Sequence, residues 1–193
     1  MPALESSAEP DSSAGQRQPL EDLHVLVVDD NQGMRELLKE ILVGLGVRSV
    51  RDAADAASAV ARMVSFPPDI IFVDRVMEPV DGIEFIRRIR SGKDGDDRFV
   101  PIVLVTAHTE SDGIYAARDA GVTEILAKPI SIEAVWSRLV AIIEHPRAFI
   151  ETSTYFGPDR RRQDRPHGGS DRRSFQDPMT QSEIDAVMQS VPE

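Results

Sequence analysis

The chain has 193 residues, room for one domain of ordinary size plus tails. Its 22 Lys and Arg against 33 Asp and Glu leave a formal charge of −11, which argues against a general nucleic-acid binder, whose phosphate contacts need a basic surface. There is no cysteine, which excludes both a disulfide framework and a thiolate zinc site. Residues 1–22 are rich in Ser, Ala, Glu, Pro and Gln and read as a disordered leader. They lack a basic stretch followed by an apolar core, so they do not read as a signal peptide. Apolar runs such as Val25–Val28 and Ile70–Val73 are too short to cross a bilayer, and the protein is expected in the cytoplasm with no membrane insertion.

Residues 23–145 alternate short β-branched runs with stretches of helical spacing. The strand runs are His24–Val28, Arg48–Ala53, Asp69–Val73, Val100–Val105 and Glu124–Leu126. Met34, Leu37, Leu38, Ile41 and Leu42 form the first helical stripe, closed by Gly44 and Gly46. Ala56, Val60, Met63 and Val64 form the second, stopped by Pro67 and Pro68. Ile83, Ile86 and Ile89 form the third, ended by Gly92. A fourth helix is expected between Asp112 and Gly121, and a fifth from Ser131 to about Glu144. Five strands alternating with five helices imply an α/β fold, a doubly wound parallel sheet covered on both faces. Residues 146–178 turn to Gly, Pro, Asp and Arg and read as a linker, before a short amphipathic helix within 179–193.

In such a sheet, ligands bind beyond the carboxyl ends of the strands. The polar residues there are Asp29 and Asp30, Asp74, Thr106, and Lys128 followed by Pro129. Singly, each has an ordinary explanation: Asp29 or Asp30 as a helix cap, Asp74 in an exposed turn, Thr106 as a strand-end hydroxyl, Lys128 as a solvated lysine. Together these explanations fail, because three converging carboxylates repel one another unless a cation neutralises them. Mg²⁺ suits the oxygen ligands, and a fixed lysine beside it favours a dianion such as a phosphoryl group.

The segments VLVVDDN at 25–31, IIFVDRVMEPVDGIE at 70–84, IVLVTAH at 102–108 and AGVTEILAKPIS at 120–131 resemble, in order and spacing, the receiver domains of two-component response regulators, the CheY-like family. The resemblance implies a flavodoxin-like sheet with strand order 2-1-3-4-5. It implies that Asp74 accepts a phosphoryl group from a sensor histidine kinase or phosphotransfer protein. Asp30, Asp74 and the backbone carbonyl of Val76 would hold Mg²⁺, with Asp29 acting through water. Thr106 and Lys128 would bind the phosphoryl oxygens, and the Lys128–Pro129 bond is expected to be cis. The chain would then be a phosphoacceptor that catalyses its own phosphorylation and dephosphorylation rather than a turnover enzyme. A dehalogenase-type phosphatase also uses an Asp nucleophile, but its Asp-x-Asp motif follows the first strand, where here the pair is adjacent. Two departures stand out. The family often places an aromatic residue, which rotates as the Thr moves, at the position of Ile125, and Glu78 separates Met77 from Pro79. His108, two after Thr106, reads as a loop histidine or as a residue tuning dephosphorylation.

No helix-turn-helix pattern appears after the receiver segment, so no DNA-binding unit is expected and output is expected through protein contacts. In the last segment Thr180 and Glu183 form a capping box, Met179 can staple onto Ile184, and Ile184, Val187 and Met188 share one face. So short a helix is marginal alone, so that face is expected to dock. The segment resembles the N-terminal peptide of the flagellar motor switch protein FliM, which binds phosphorylated CheY-like proteins. That implies chemotaxis or motility, and a docking target that is either a motor component or the chain's own receiver. A flexible linker of about 33 residues reaches roughly 30 Å, enough for docking in cis near the fourth and fifth helices. Arg161, Asp164 and Arg165 in that linker loosely resemble the arginine-rich segments with which some CheY-like proteins hold cyclic di-GMP, the alternative reading in which the receiver is a scaffold.

Overall fold

β-Branched and apolar runs pair in parallel as β1 (His24–Val28), β2 (Ser49–Ala53), β3 (Ile70–Asp74), β4 (Ile102–Thr106) and β5 (Glu124–Ala127), in the order β2-β1-β3-β4-β5. The computed structural model describes residues 20–95, 97–159 and 179–189. Between the strands run α1 (Gln32–Gly44), α2 (Ala56–Ser65), α3 (Gly82–Arg90), α4 (Ser111–Asp119) and α5 (Ile132–Glu144). Successive strand side chains point to opposite faces, so the sheet supports two cores. Val25, Val27, Phe72 and Val105 pack with Leu38 and Leu42 of α1 and Leu139 of α5. Leu26, Val28, Val73 and Leu104 pack with Met63 of α2, Phe85 of α3 and Ile114 of α4. Every residue of β3 and β4 is buried, which is why these runs read as continuously apolar.

The loops at the carboxyl edge end in helix caps. Asn31 accepts from the Met34 N–H, Asp55 exchanges bonds with Ser58, Asp81 accepts from Glu84, and Ser131 accepts from Ala134. Each cap satisfies a backbone donor that would otherwise be orphaned at a helix start. Two residues assigned to the apolar stripes face water: Leu37 is 40% exposed and Val64 79%. In α1 the buried face is centred near Leu38 and in α2 near Met63; at 100° per residue Leu37 and Val64 lie about 90° round from those centres, past the edge of the helix–sheet contact.

Two segments differ from the expectation drawn from the sequence. Residues 20–22, placed in a disordered leader, form a 3-10 turn, with Leu20 against the α1–α5 core and Glu21 paired with Arg48. Residues 1–19 lie outside the described residues. Within the stretch taken as linker, β6 (Phe149–Glu151) and β7 (Phe156–Pro158) form an antiparallel hairpin. Its cause is non-local: the Phe99 ring meets Phe149 and Phe156 edge-on, at 5.3 and 5.2 Å between centroids, and Arg98 lies 3.8 Å over Phe156. Arg90 is buried beneath the hairpin. It donates to the carbonyls of Gly121, Arg98 and Val100, and burial lowers its pKa to about 10.

The tail helix forms as its cap pattern predicts. In α6 (Gln181–Gln189) the Glu183 carboxylate accepts from the Thr180 N–H at 2.8 Å, and the Thr180 hydroxyl accepts from the Glu183 N–H at 3.4 Å. Ile184 and Met188 are buried in the α2–α3–α4 core and Val187 is partly so. The helix descends along β5 from its carboxyl end, beside α4, and reaches α5 through Arg138. Among the described residues no helix is long and apolar enough to cross a membrane.

Candidate functional site

Register alone brings the key residues together. Val28 lies beside Val73, Asp74 beside Val105, and Thr106 beside Ala127. The next residues along β1 and β5 are Asp29 and Lys128, so the sheet's carboxyl edge gathers Asp29, Asp74, Thr106 and Lys128. Lys128 Nζ donates to Asp74 Oδ1 at 2.7 Å and lies 3.7 Å from Asp29 Oδ2. The Lys128–Pro129 bond is cis, as is Glu78–Pro79. The Lys128 N–H also bonds to the Thr106 carbonyl, tying β5 to β4 at the site.

Asp74 is buried, and its Oδ2 accepts from the Val76 N–H at 2.8 Å, which fixes the carboxylate plane. Behind it, Gly82 packs so closely that a Cβ there would lie 2.1 Å from the Asp74 carbonyl oxygen. The loop from β3 to α3 can therefore close over the carboxylate only with glycine at its end.

Asp29 is almost wholly buried. Its Oδ1 accepts from the Asn31 N–H at 2.8 Å, while Oδ2 accepts no hydrogen bond among the described residues. Burial pushes its carboxyl up, and the nearby Asp74 and Asp30 add to that, against the Asn31 N–H and Lys128. Asp30 is exposed beside it. The helix cap is Asn31, so neither aspartate is spent on capping α1. Arg35, to which no sequence pattern pointed, donates to the carbonyls of Asp29 and Asp30 at 2.8 and 3.2 Å and pairs with Asp52, fixing the acidic loop.

A buried carboxylate oxygen without a donor, next to a second carboxylate, is a donor set that fits a hard divalent cation. No group of three or more acidic or His side chains among the described residues is tight enough to hold a metal alone. A Mg²⁺ site here would draw on carboxylates, a backbone carbonyl and water, as Mg²⁺ sites commonly do.

Thr106 is at the site, with its hydroxyl held by the His108 backbone. Its hydroxyl donates to the His108 carbonyl at 3.2 Å and accepts from the His108 N–H at 2.9 Å. The His108 ring is largely exposed, 4.0 Å from Glu110. Ile125 is fully buried against the core that includes Ile184 and Met188, and its carbonyl accepts from the Gln181 side chain. Arg161, Asp164 and Arg165 lie outside the described residues.

The response regulator receiver domain family matches residues 25–140. "Response regulator MprA" of Mycobacterium avium is 34% identical over 125 residues, covering 65% of this chain and 53% of that protein. The MprA protein of Mycolicibacterium vanbaalenii is 36% identical over 121 residues, covering 63% and 50%. The chain thus spans about half the length of the curated relatives it matches. Among solved structures, the chemotaxis response regulator CheY4 of Vibrio cholerae is 28% identical with a TM-score of 0.57, covering 62% of this chain and 98% of that one. The receiver domain of sensor histidine kinase PA1611 from Pseudomonas aeruginosa, solved with a magnesium ion coordinated in its active-site cleft, is 30% identical with a TM-score of 0.56, covering 63% and 98%. With the matched segment spanning more than half of the chain and the strand order the same as that expected for the fold, this chain belongs to the response regulator receiver family of two-component signalling.

Proposed function

We propose that this chain is a phosphorylation-dependent switch whose phosphoacceptor is Asp74 and whose donor is a histidine kinase or phosphotransfer protein. The observation that carries the reading is the contact of Lys128 Nζ with Asp74 Oδ1 at 2.7 Å, beside the buried Asp29. Phosphoryl transfer needs mainly alignment and charge neutralisation, which a weak carboxylate nucleophile held by fixed donors can meet. One Asp74 oxygen forms a bond to phosphorus as the bond from phosphorus to the donor nitrogen breaks. The electron pair leaves with that nitrogen, which takes up a proton. The Lys128 ammonium offsets the added charge, and the Thr106 hydroxyl bonds a phosphoryl oxygen once it leaves the His108 backbone.

Asp29, Asp30, Asp74 and the Val76 carbonyl would hold Mg²⁺, which supplies positive charge to the phosphoryl oxygens. The magnesium in the cleft of the similar PA1611 receiver supports this assignment. Output runs through protein contact, in chemotaxis or motility, on the likeness of 179–193 to a motor-switch peptide.

The test is acid-labile labelling by acetyl phosphate with magnesium chloride. The parent protein should label, while Asp74→Asn and parent protein in excess EDTA should not. Labelling of Asp74→Asn at the parental level removes the assignment.

A further inference from the structure

The tail helix is fastened to the two backbone segments that position the phosphoryl-binding side chains. β5 is an edge strand, so one side of its backbone has no strand partner. The Gln181 amide fills that place: its oxygen accepts from the Ala127 N–H at 2.7 Å and its nitrogen donates to the Ile125 carbonyl at 2.9 Å. Lys128 follows immediately. At the start of the same segment the Met179 N–H donates to the Thr109 carbonyl at 2.7 Å, anchoring the loop in which Thr106 is bonded to His108.

The rest of the seat gives the helix its register. Asp185 forks onto Arg138 at 2.6 and 2.9 Å, and Arg138 also binds Glu124 at 3.1 Å. Arg147 donates to the Met188 carbonyl at the helix's last turn. Ile184 and Met188 close the apolar side against Ile125 and its neighbours.

A phosphoryl group on Asp74 needs what these contacts oppose. To bond a phosphoryl oxygen, the Thr106 hydroxyl would give up its bonds to His108, in the loop pinned at Thr109, while Lys128 follows directly on the edge strand that Gln181 holds. We infer that α6 is a cis-docked clamp on β5 and the β4–α4 loop, which slows phosphorylation of Asp74 while docked and is released when the phosphoryl group is in place. The inference rests on the reading of Asp74 as phosphoacceptor and adds its regulation. For equilibria the coupling is reciprocal: the factor by which docking disfavours the phosphorylated state is the factor by which the phosphoryl group disfavours docking. Residues 160–178 join Asp159, beside the amino ends of the strands, to Met179 at the carboxyl edge. Extended, that length of chain reaches about 60 Å, so the helix leaves and returns while tethered, at an effective concentration that can approach millimolar.

The test uses full-length protein. Gln181→Ala removes both bonds to β5 but leaves Ile184 and Met188 in place, so the variant keeps its fold. Its acetyl phosphate labelling should be about fivefold faster than the parent's or more, the lower end of typical coupling. Hydrogen exchange at residues 181–189 of the parent should rise by a similar factor with beryllium fluoride and Mg²⁺, and stay unchanged in Asp74→Asn. If Asp74→Asn blocks labelling while Gln181→Ala labels at or below the parental rate, or exchange at 181–189 does not respond, the clamp is overturned and Asp74 stands. If Asp74→Asn labels normally, the phosphoacceptor reading fails first.

Discussion

Replacing Gly82 with alanine tests how the loop behind Asp74 sets the geometry of that carboxylate. The added Cβ would sit 2.1 Å from the Asp74 carbonyl oxygen, 3.0 Å from its carbonyl carbon and 3.1 Å from the Arg75 Cα. All three are backbone atoms, so no side chain can swing aside. Reaching an ordinary contact of 3.4 Å requires the end of β3 and the start of α3 to part by about 1.3 Å. α3 resists, because Asp81 caps it and Ile83, Phe85 and Ile86 are buried. Overpacking of this kind costs typically 1–3 kcal/mol. Set against the small gain from alanine in a helix, a net loss of about 1–2 kcal/mol and a fall in Tm of roughly 2–8 °C are expected. The chemical effect should be larger, since a misplacement of about 1 Å at a reacting centre can cost ~10²-fold in rate. The assay is acetyl phosphate labelling at 20 °C, where the variant stays folded, alongside thermal melting. Gly44→Ala is the control: its Cβ meets nothing within 4 Å in α1, so it should gain about 0.5–1 kcal/mol and label at the parental rate. If Gly82→Ala melts and labels like the parent, the close approach does not govern Asp74.

Two further substitutions probe the buried charges. Asp29 carries a carboxyl whose pKa is raised, first by burial, so its ionised form penalises the folded state at neutral pH. That penalty is relieved as pH falls through the raised folded value towards the ordinary carboxylate range, where the unfolded chain also takes up its proton. In EDTA at pH 7.5, Asp29→Asn should therefore be about 1–2 kcal/mol more stable than the parent, since it removes a buried acceptor that has no hydrogen bond among the described residues. The gain in urea unfolding should shrink as pH falls, and an equal or larger gain in acid contradicts the assignment. Arg90→Met leaves the carbonyls of Gly121, Arg98 and Val100 without their donor, for a loss of about 3 kcal/mol. Because Arg90 sits at the edge opposite Asp74, labelling of the folded variant should be unchanged; a loss under about 1 kcal/mol would falsify its role as a staple.

Much of this could be read along the chain, and the residues show why. Strand and helix alternation, the caps at Ser131 and Thr180, and the acidic pair after β1 depend on neighbours a few residues apart. The exceptions involve distant partners. Leu37 and Val64 fit their stripes yet face water, because the width of the helix–sheet contact is set by the sheet. No local pattern marks the hairpin from Phe149 to Pro158, because its cause is Phe99, far back in the sequence. Asn31, rather than either aspartate, caps α1, although all three are good capping residues.

Local pattern determined the order of the elements, the apolar faces and the identity of the residues at the strand ends, because periodicity and capping act over a single turn or pleat. Tertiary structure decided what those residues do to one another. Parallel register places Lys128 on Asp74, packing leaves Asp29 Oδ2 without a hydrogen-bond donor among the described residues, and the edge of β5 gives Gln181 a backbone to hold. Contacts of that kind depend on which strands become neighbours and which edge stays open, and only the completed sheet fixes both.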